Sequence, residues 1–175
     1  ALVVAREIQR RYPDARGLSA ETIALNDDIT HALARRFRGA STFLLMTYPF
    51  QYYPVDNAAA IASVGLYAKA LQTDKFDDVL KDWELQCRKT LIDPETGLLY
   101  QAATGKGNPT DRGRASGSAL SAYFLAWSHP ELAIELSESC FNLAGKLWGF
   151  GLVREYAPGV EGWGDIDSGP IIFGY

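Results

Sequence analysis

Asp56-Asn57-Ala58-Ala59-Ala60-Ile61-Ala62-Ser63-Val64-Gly65-Leu66-Tyr67-Ala68-Lys69-Ala70-Leu71 is the stretch that decides the fold. Past its opening the only charge is Lys69, and so many alanines favour helix over strand. A helix that is apolar nearly all round must be covered on all sides. Residues 75–91 read differently. Phe76, Val79, Leu80, Trp83 and Cys87 form one stripe, and Asp77, Asp78, Lys81, Asp82, Glu84, Arg88 and Lys89 face water. That is a one-sided outer helix packed against an inner one.

The alternation repeats along the chain. Residues 115–127 are again uncharged and helical in composition. Ser128 or His129, followed by Pro130, opens an amphipathic helix expected to run to about Leu147, with Leu132, Leu136, Cys140, Leu143, Ala144 and Leu147 on one side. Upstream, residues 2–12 form a short helix ended by Pro13. Ser19 caps a helix through about Arg38, whose apolar set is Ile23, Leu25, Ile29, Leu33 and Phe37. Residues 41–46 are extended or irregular, and residues 48–54 form an aromatic, proline-bearing loop. Asp93-Pro94-Glu95-Thr96-Gly97 is a turn, residues 98–102 a short strand, and residues 104–114 a glycine- and proline-rich loop. Residues 152–156 parallel that strand, and a second glycine-rich loop leads to a third apolar opening at residues 165–175.

Inner and outer helices thus alternate at a period of roughly 50 to 60 residues, as in repeat architectures whose neighbours stack to bury a continuous core. Helical hairpins stack into an open solenoid or close into an (α/α) toroid. The nearly all-apolar inner helices favour the toroid, because solenoid inner helices keep a polar face along a groove. The expected fold is all-α, a single helical-hairpin domain over residues 1–175, with short β-hairpin-like loops before the inner helices. The chain opens mid-helix at Ala1 and stops at Gly174-Tyr175 as an apolar segment begins, so it reads as part of a longer toroid.

A net charge of −4 gives no electrostatic reason to expect nucleic acid or an anionic membrane as partner. No apolar run is long and clean enough to span a bilayer, and no signal peptide opens the chain. Cys87 and Cys140 sit in helical patterns without metal-ligand spacing and read as buried small hydrophobes, leaving the compartment unassigned. No P-loop, dinucleotide fingerprint, metal-binding run or Ser-His-Asp order is present, so neither cofactor nor metal is expected.

If the alternation holds, the inner helices all begin at one end. That end would gather Asp56, Asn57, Arg112, Arg114, Asp165, Asp167 and Ser168, with Tyr48, Gln51, Tyr52, Tyr53 and Trp163 from the adjoining loops. Carboxylates from different helices are what acid/base chemistry needs: one protonated to donate to a leaving oxygen, another ionised to accept a proton. Asp56, Asp165 and Asp167 are the candidate catalytic groups; Tyr48, Tyr52, Tyr53, Asn57, Arg112, Arg114 and Trp163 are the candidate substrate contacts. Asp56 equally suits an N-cap, Asp167-Ser168-Gly169-Pro170 is a helix-start signal, and Arg112 and Arg114 have Asp111 or Asp165 as pairing partners. His31, on an outer helix, and His129, at a helix start, are not expected to act as bases.

Residues 48–57, Tyr48-Pro49-Phe50-Gln51-Tyr52-Tyr53-Pro54-Val55-Asp56-Asn57, and 164–174, Gly164-Asp165-Ile166-Asp167-Ser168-Gly169-Pro170-Ile171-Ile172-Phe173-Gly174, resemble the linalool dehydratase-isomerase-like group of (α/α)6 proteins, as does the turn at residues 93–97. The resemblance runs from about Leu25 to the end, and six-hairpin glycosidase-like toroids have related turns. It implies a toroid of about six hairpins, roughly half of it in this chain, and an acid/base lyase or isomerase acting on a small hydroxylated molecule. The named enzyme's cysteine and histidine chemistry does not carry over, because Cys87 and Cys140 fall on outer helices and no histidine lies near the mouth. The leading expectation is therefore a cofactor-free dehydratase or isomerase with a small-molecule substrate, in a chain that also admits a homo-oligomer. A glycoside-active enzyme using the same carboxylates and a non-catalytic ligand- or partner-binding scaffold are the alternatives.

Overall fold

Among the described residues six helices make up about half of the chain: α1 (Leu2–Arg11), α2 (Ala20–Gly39), α3 (Pro54–Leu71), α4 (Asp77–Thr90), α5 (Ala115–Leu125) and α6 (Pro130–Phe141). The computed structural model describes residues 1–14, 17–160, 162, 164, 165 and 169–171, with only the backbone for residues 147, 164, 165, 169 and 170. Two small antiparallel pairs follow the helices: β1 (Ala144–Leu147) with β2 (Phe150–Val153), and β3 (Gly164–Asp165) with β4 (Gly169–Pro170). The fold is mostly helical rather than all-α.

The helices form two rows. α3 lies between α1 and α5, while α2 packs against α3 and α4, and α6 packs against α5. α4 and α6 are joined by an Arg88–Glu135 ion pair and by His129, whose Nε2 lies 3.2 Å from the Leu80 carbonyl oxygen. α2 is tied to α4 by Arg38, which donates from Nε and Nη2 to the two Asp78 oxygens at 2.7 Å each, a bidentate geometry.

α3 behaves as its composition requires. Ala58, Ile61, Val64, Leu66 and Tyr67 are all buried, Pro54 occupies the first helical position, and Gln72 ends the helix in the left-handed region at φ +53°. Gly65 sits so close to Ser128 that a side chain there would overlap it, which lets the end of α5 approach α3. α4 buries the expected stripe, with Phe76, Val79, Trp83 and Cys87 all within 1% of complete burial. Both cysteines are free and buried, and burial pushes the Cys87 thiol up to about 12.

α1, though charged, stands in the inner row against α3. It can do so because its charges are tied down: Arg6 lies over the Tyr67 ring at 5.1 Å and pairs with Asp27, and buried Glu7 accepts from Arg10 at 2.8 Å and Arg11 at 2.7 Å. α2 is turned by about one residue from the face its apolar pattern suggested. Ser19 caps it as expected, accepting from the Thr22 N–H at 3.2 Å, but Leu25 and Ile29 are exposed while Asn26, Thr30, Ala34 and Phe37 are buried. On that face the Asn26 amide nitrogen lies 3.5 Å from the Thr30 hydroxyl, and the Asn26 carbonyl oxygen has no hydrogen-bond partner among the described residues. Finally, α6 stops at Phe141 instead of reaching Leu147. Residues 144–153 turn back as a hairpin whose two central residues, Trp148 (φ +50°) and Gly149 (φ +88°), have the positive angles of a type I′ turn.

His129 makes stability depend on pH. It caps α6, is 6% exposed, and its ring meets Trp83 at 5.6 Å; burial holds its pKa below the ordinary imidazole value. A depressed histidine stabilises the fold fully above the unfolded value of about 6.5, and that contribution is lost as pH falls below it. Urea midpoints of the wild type are expected to fall between pH 7.5 and 5.5, and those of His129→Gln to stay flatter over the same range. Equal slopes for the two proteins would refute the assignment.

Candidate active site

One extended segment aligns the starts of α3 and α5. Ala103 donates its N–H to the Tyr52 carbonyl at 2.9 Å, just before Tyr53, the N-cap of α3. Tyr100 bridges to Gly113, just before Arg114, the N-cap of α5. These contacts are three residues apart on the segment, so the two inner helices begin side by side at the same end, about 10 Å apart along it. A network of short bonds fixes the alignment. The Ser118 hydroxyl, fully buried, donates to the Arg114 carbonyl at 2.6 Å and accepts from the Leu99 N–H at 2.8 Å. The Asp93 turn locks the approach to the segment, its carboxylate accepting from the Glu95 N–H and the Thr96 hydroxyl at 3.0 Å each.

A cleft of about 400 Å³ lies between these loops, walled by Phe50, Gln51, Tyr52, Tyr53, Thr104 and Thr110 among others. Among the described residues its lining is aromatic and hydroxyl-bearing and includes no Asp, Glu, Lys, Arg or His. The Tyr53 hydroxyl donates to Gln51 Oε1 at 3.0 Å, and the Tyr52 ring packs so closely over Gly105 that a Cβ there would fall 2.8 Å from its hydroxyl. Tyr48 is exposed and meets the Tyr53 ring edge-on at 6.0 Å.

Asp56, Asn57, Arg112 and Arg114 do not line this cleft. Asp56 is the third residue of α3, exposed in the first turn, where the helix dipole favours a carboxylate. It is not the N-cap, since Tyr53 holds that position. Asn57 is buried, and its amide is turned to the backbone: it accepts from the Leu45 N–H at 2.7 Å and donates to the carbonyls of Leu45 at 3.0 Å and Tyr53 at 2.9 Å. Arg114 is 5% exposed, pairs with Asp111 at 3.3 Å and lies 5.4 Å from the Tyr156 ring centroid. Arg112 is exposed, its backbone N–H donating to Asp111 at 2.7 Å. Asp165 is described only as backbone in β3. Gly162, three residues earlier, presses against the Tyr156 ring, so the Asp165 backbone lies within about 11 Å of Gly162. Asp167, Ser168 and Trp163 lie outside the described residues.

Glu155 and Tyr156 were not singled out from the sequence. Glu155 closes the start of α5: its carboxylate accepts from the Ser116 N–H at 3.0 Å and the Ser116 hydroxyl at 2.5 Å, and its carbonyl accepts from the Ala115 N–H at 2.9 Å. This satisfies helix N–H groups that Arg114 as N-cap cannot. No local signal marks a cap supplied from 39 residues downstream. A larger, mostly apolar concavity of about 920 Å³ runs between α5 and α6 and reaches Ala115, Ser116 and Glu155 at the start of α5. Among the described residues no group of three or more His, Cys, Asp or Glu stands close enough to hold a metal ion, and no helix is long and apolar enough to cross a membrane.

No family model matches this sequence, and no curated protein is detectably similar to it.

Proposed function

We propose that the chain is three hairpins of an (α/α)6 toroid and that the end where α3 and α5 begin is the active site of a cofactor-free acid/base enzyme acting on a small hydroxylated substrate. The observation that carries this reading is the neutral, aromatic and hydroxyl-lined cleft beside the aligned starts of the two inner helices. Tyr52 and Tyr53 offer ring faces, and Gln51, Thr104 and Thr110 offer hydrogen bonds to hydroxyl groups. Asp56 sits in the first turn of the helix that Tyr53 caps, and in this reading Asp165 or Asp167 supplies the second carboxylate. In a dehydration, one carboxylic acid protonates the departing hydroxyl, which leaves as water. The other carboxylate removes a proton from the adjacent carbon, whose electrons form the new double bond. Isomerisation uses the same pair with the proton returned at a different carbon. Arg114, fixed by Asp111 and Tyr156, holds the loop that shapes the site.

The test is turnover across a panel of allylic alcohols, polyols and aryl glycosides, followed by mass change. Asp165→Asn and Asp56→Asn are each expected to reduce turnover of the accepted compound by about 100-fold or more, with unchanged circular dichroism and urea midpoint. Undiminished turnover in both variants would remove these carboxylates from the chemistry. Binding without turnover by the wild type across the panel would mark a ligand-binding scaffold.

A further inference from the structure

At the end of the inner helices away from the aromatic cleft, the turn from α5 into α6 sets Ser128 beside His129. The Ser128 hydroxyl oxygen lies 2.8 Å from His129 Nδ1, and His129 Nε2 lies 3.2 Å from the Leu80 carbonyl oxygen on α4. A carbonyl only accepts, so Nε2 carries the proton of the neutral ring and Nδ1 keeps its lone pair. The Ser128 hydroxyl is therefore the donor to Nδ1. His129 is buried against Trp83, and that burial holds it below the ordinary imidazole value, which keeps the ring neutral near pH 7. Nucleophile, base and orienting acceptor thus stand in series, with a backbone carbonyl 49 residues upstream in the third place.

Ser128 lines a cleft of about 590 Å³ together with Gly65, Lys69, Gln72 and Thr73 of the α3 end. Gly65 makes room for the serine, since a Cβ there would fall 2.3 Å from Ser128 Cβ. Lys69 is exposed and four residues further along α3, so it stands on the same face about 6 Å beyond that contact. Arg10 also reaches the cleft but is held by Glu7 at 2.8 Å. Asp74 and Asp77 balance the two cations among the described lining residues, so the cleft suits an uncharged ligand.

We propose that Ser128 is the nucleophile of a second active site that hydrolyses small uncharged esters, with His129 as its base and Lys69 as the cation facing the carbonyl oxygen. Ser128 Oγ bonds to the ester carbonyl carbon as its proton passes to His129 Nδ1, while the Nε2 proton stays on the Leu80 carbonyl. Lys69 offsets the negative charge that develops on the carbonyl oxygen. The bond to the alcohol oxygen then breaks and Nδ1 returns the proton to it, leaving the free alcohol and acylated Ser128. Water repeats the sequence: it adds to the acyl carbon as its proton goes to Nδ1, and the acid departs as Ser128 Oγ recovers that proton. This site does not rest on the carboxylates proposed at the other end of the helices.

The 175-residue chain treated with diisopropyl phosphorofluoridate is expected to gain one diisopropylphosphoryl group, mapped to Ser128 by peptide mass, and to hydrolyse 4-nitrophenyl acetate. Ser128→Ala should lose both the adduct and the hydrolysis. His129→Gln should label about 100-fold more slowly with unchanged circular dichroism, and Lys69→Gln should hydrolyse the ester about 10-fold more slowly. Proton–nitrogen correlation spectra of the wild type near neutral pH should show His129 protonated at Nε2 alone, a measurement that needs no variant to fold. A wild type that takes up no label, an adduct that persists in Ser128→Ala, or undiminished labelling of His129→Gln would overturn the site. So would a His129 ring protonated at Nδ1, or a labelled wild type that leaves the ester intact. Undiminished hydrolysis in Lys69→Gln would overturn the part given to that lysine.

Discussion

Asn57→Leu is expected to lower the unfolding free energy by about 3 kcal/mol, measured as a shift of the urea midpoint at constant slope. Leucine fills the same space without polar atoms, so the effect isolates the hydrogen bonds. The Asn57 amide serves both the N–H and the carbonyl of Leu45 and adds a bond to Tyr53. Leu45 neighbours the buried Leu44, and Asn57 itself is 2% exposed, so little water can replace those bonds. Each backbone group left unsatisfied in such a place costs roughly 1–3 kcal/mol. The loop that follows carries Tyr52 and Tyr53, so its release should also weaken ligand binding in the cleft. A loss below about 1 kcal/mol would show that the amide is dispensable to the fold and would free it for a role in binding.

The second large effect is expected at Trp83. This side chain is 1% exposed on α4 and stacks against His129, joining the two outer helices. Trp83→Ala should destabilise by about 3–5 kcal/mol, the range for emptying an aromatic-sized space in a core. Trp83→Phe is the informative companion. The indole N–H has no hydrogen-bond partner among the described residues, so losing it forfeits no bond, and the penalty should be about 1 kcal/mol from the smaller volume. Comparable losses for the two substitutions would indicate that the N–H, and not the ring volume, is what the site holds.

These two positions also show why parts of the structure were legible in the sequence. α3 and α4 declared themselves because burial on all sides and burial on one side leave different patterns, and nothing competes with those patterns. Ser19 and the Asp93 turn were legible because a short polar side chain meets backbone groups two or three residues away. The face of α2 was misjudged for the opposite reason. Leu25 and Ile29 satisfy a helical period as well as Asn26 and Thr30 do, and only the neighbouring helices decide which set is covered. The end of α6 depended on a pairing between residues 144–147 and 150–153, which competes with helix only once Trp148 and Gly149 adopt positive φ. At the candidate site, the clustering of Tyr52, Tyr53 and Gln51 followed from their adjacency. Asn57 was expected to face a ligand and instead holds Leu45, because its donors and acceptor match a loop that passes behind it.

The carboxylate that closes α5 has a consequence for how the molecule is made. A ribosome completes residues 115–125 well before it adds Glu155, so that helix waits with its amino-terminal donors in water while the earlier hairpins already have their partners. Assembly should accordingly proceed from the amino-terminal side, with the last hairpin settling only after the strand pair behind it is formed. A nascent chain halted before residue 155 would be the form most open to proteases and chaperones.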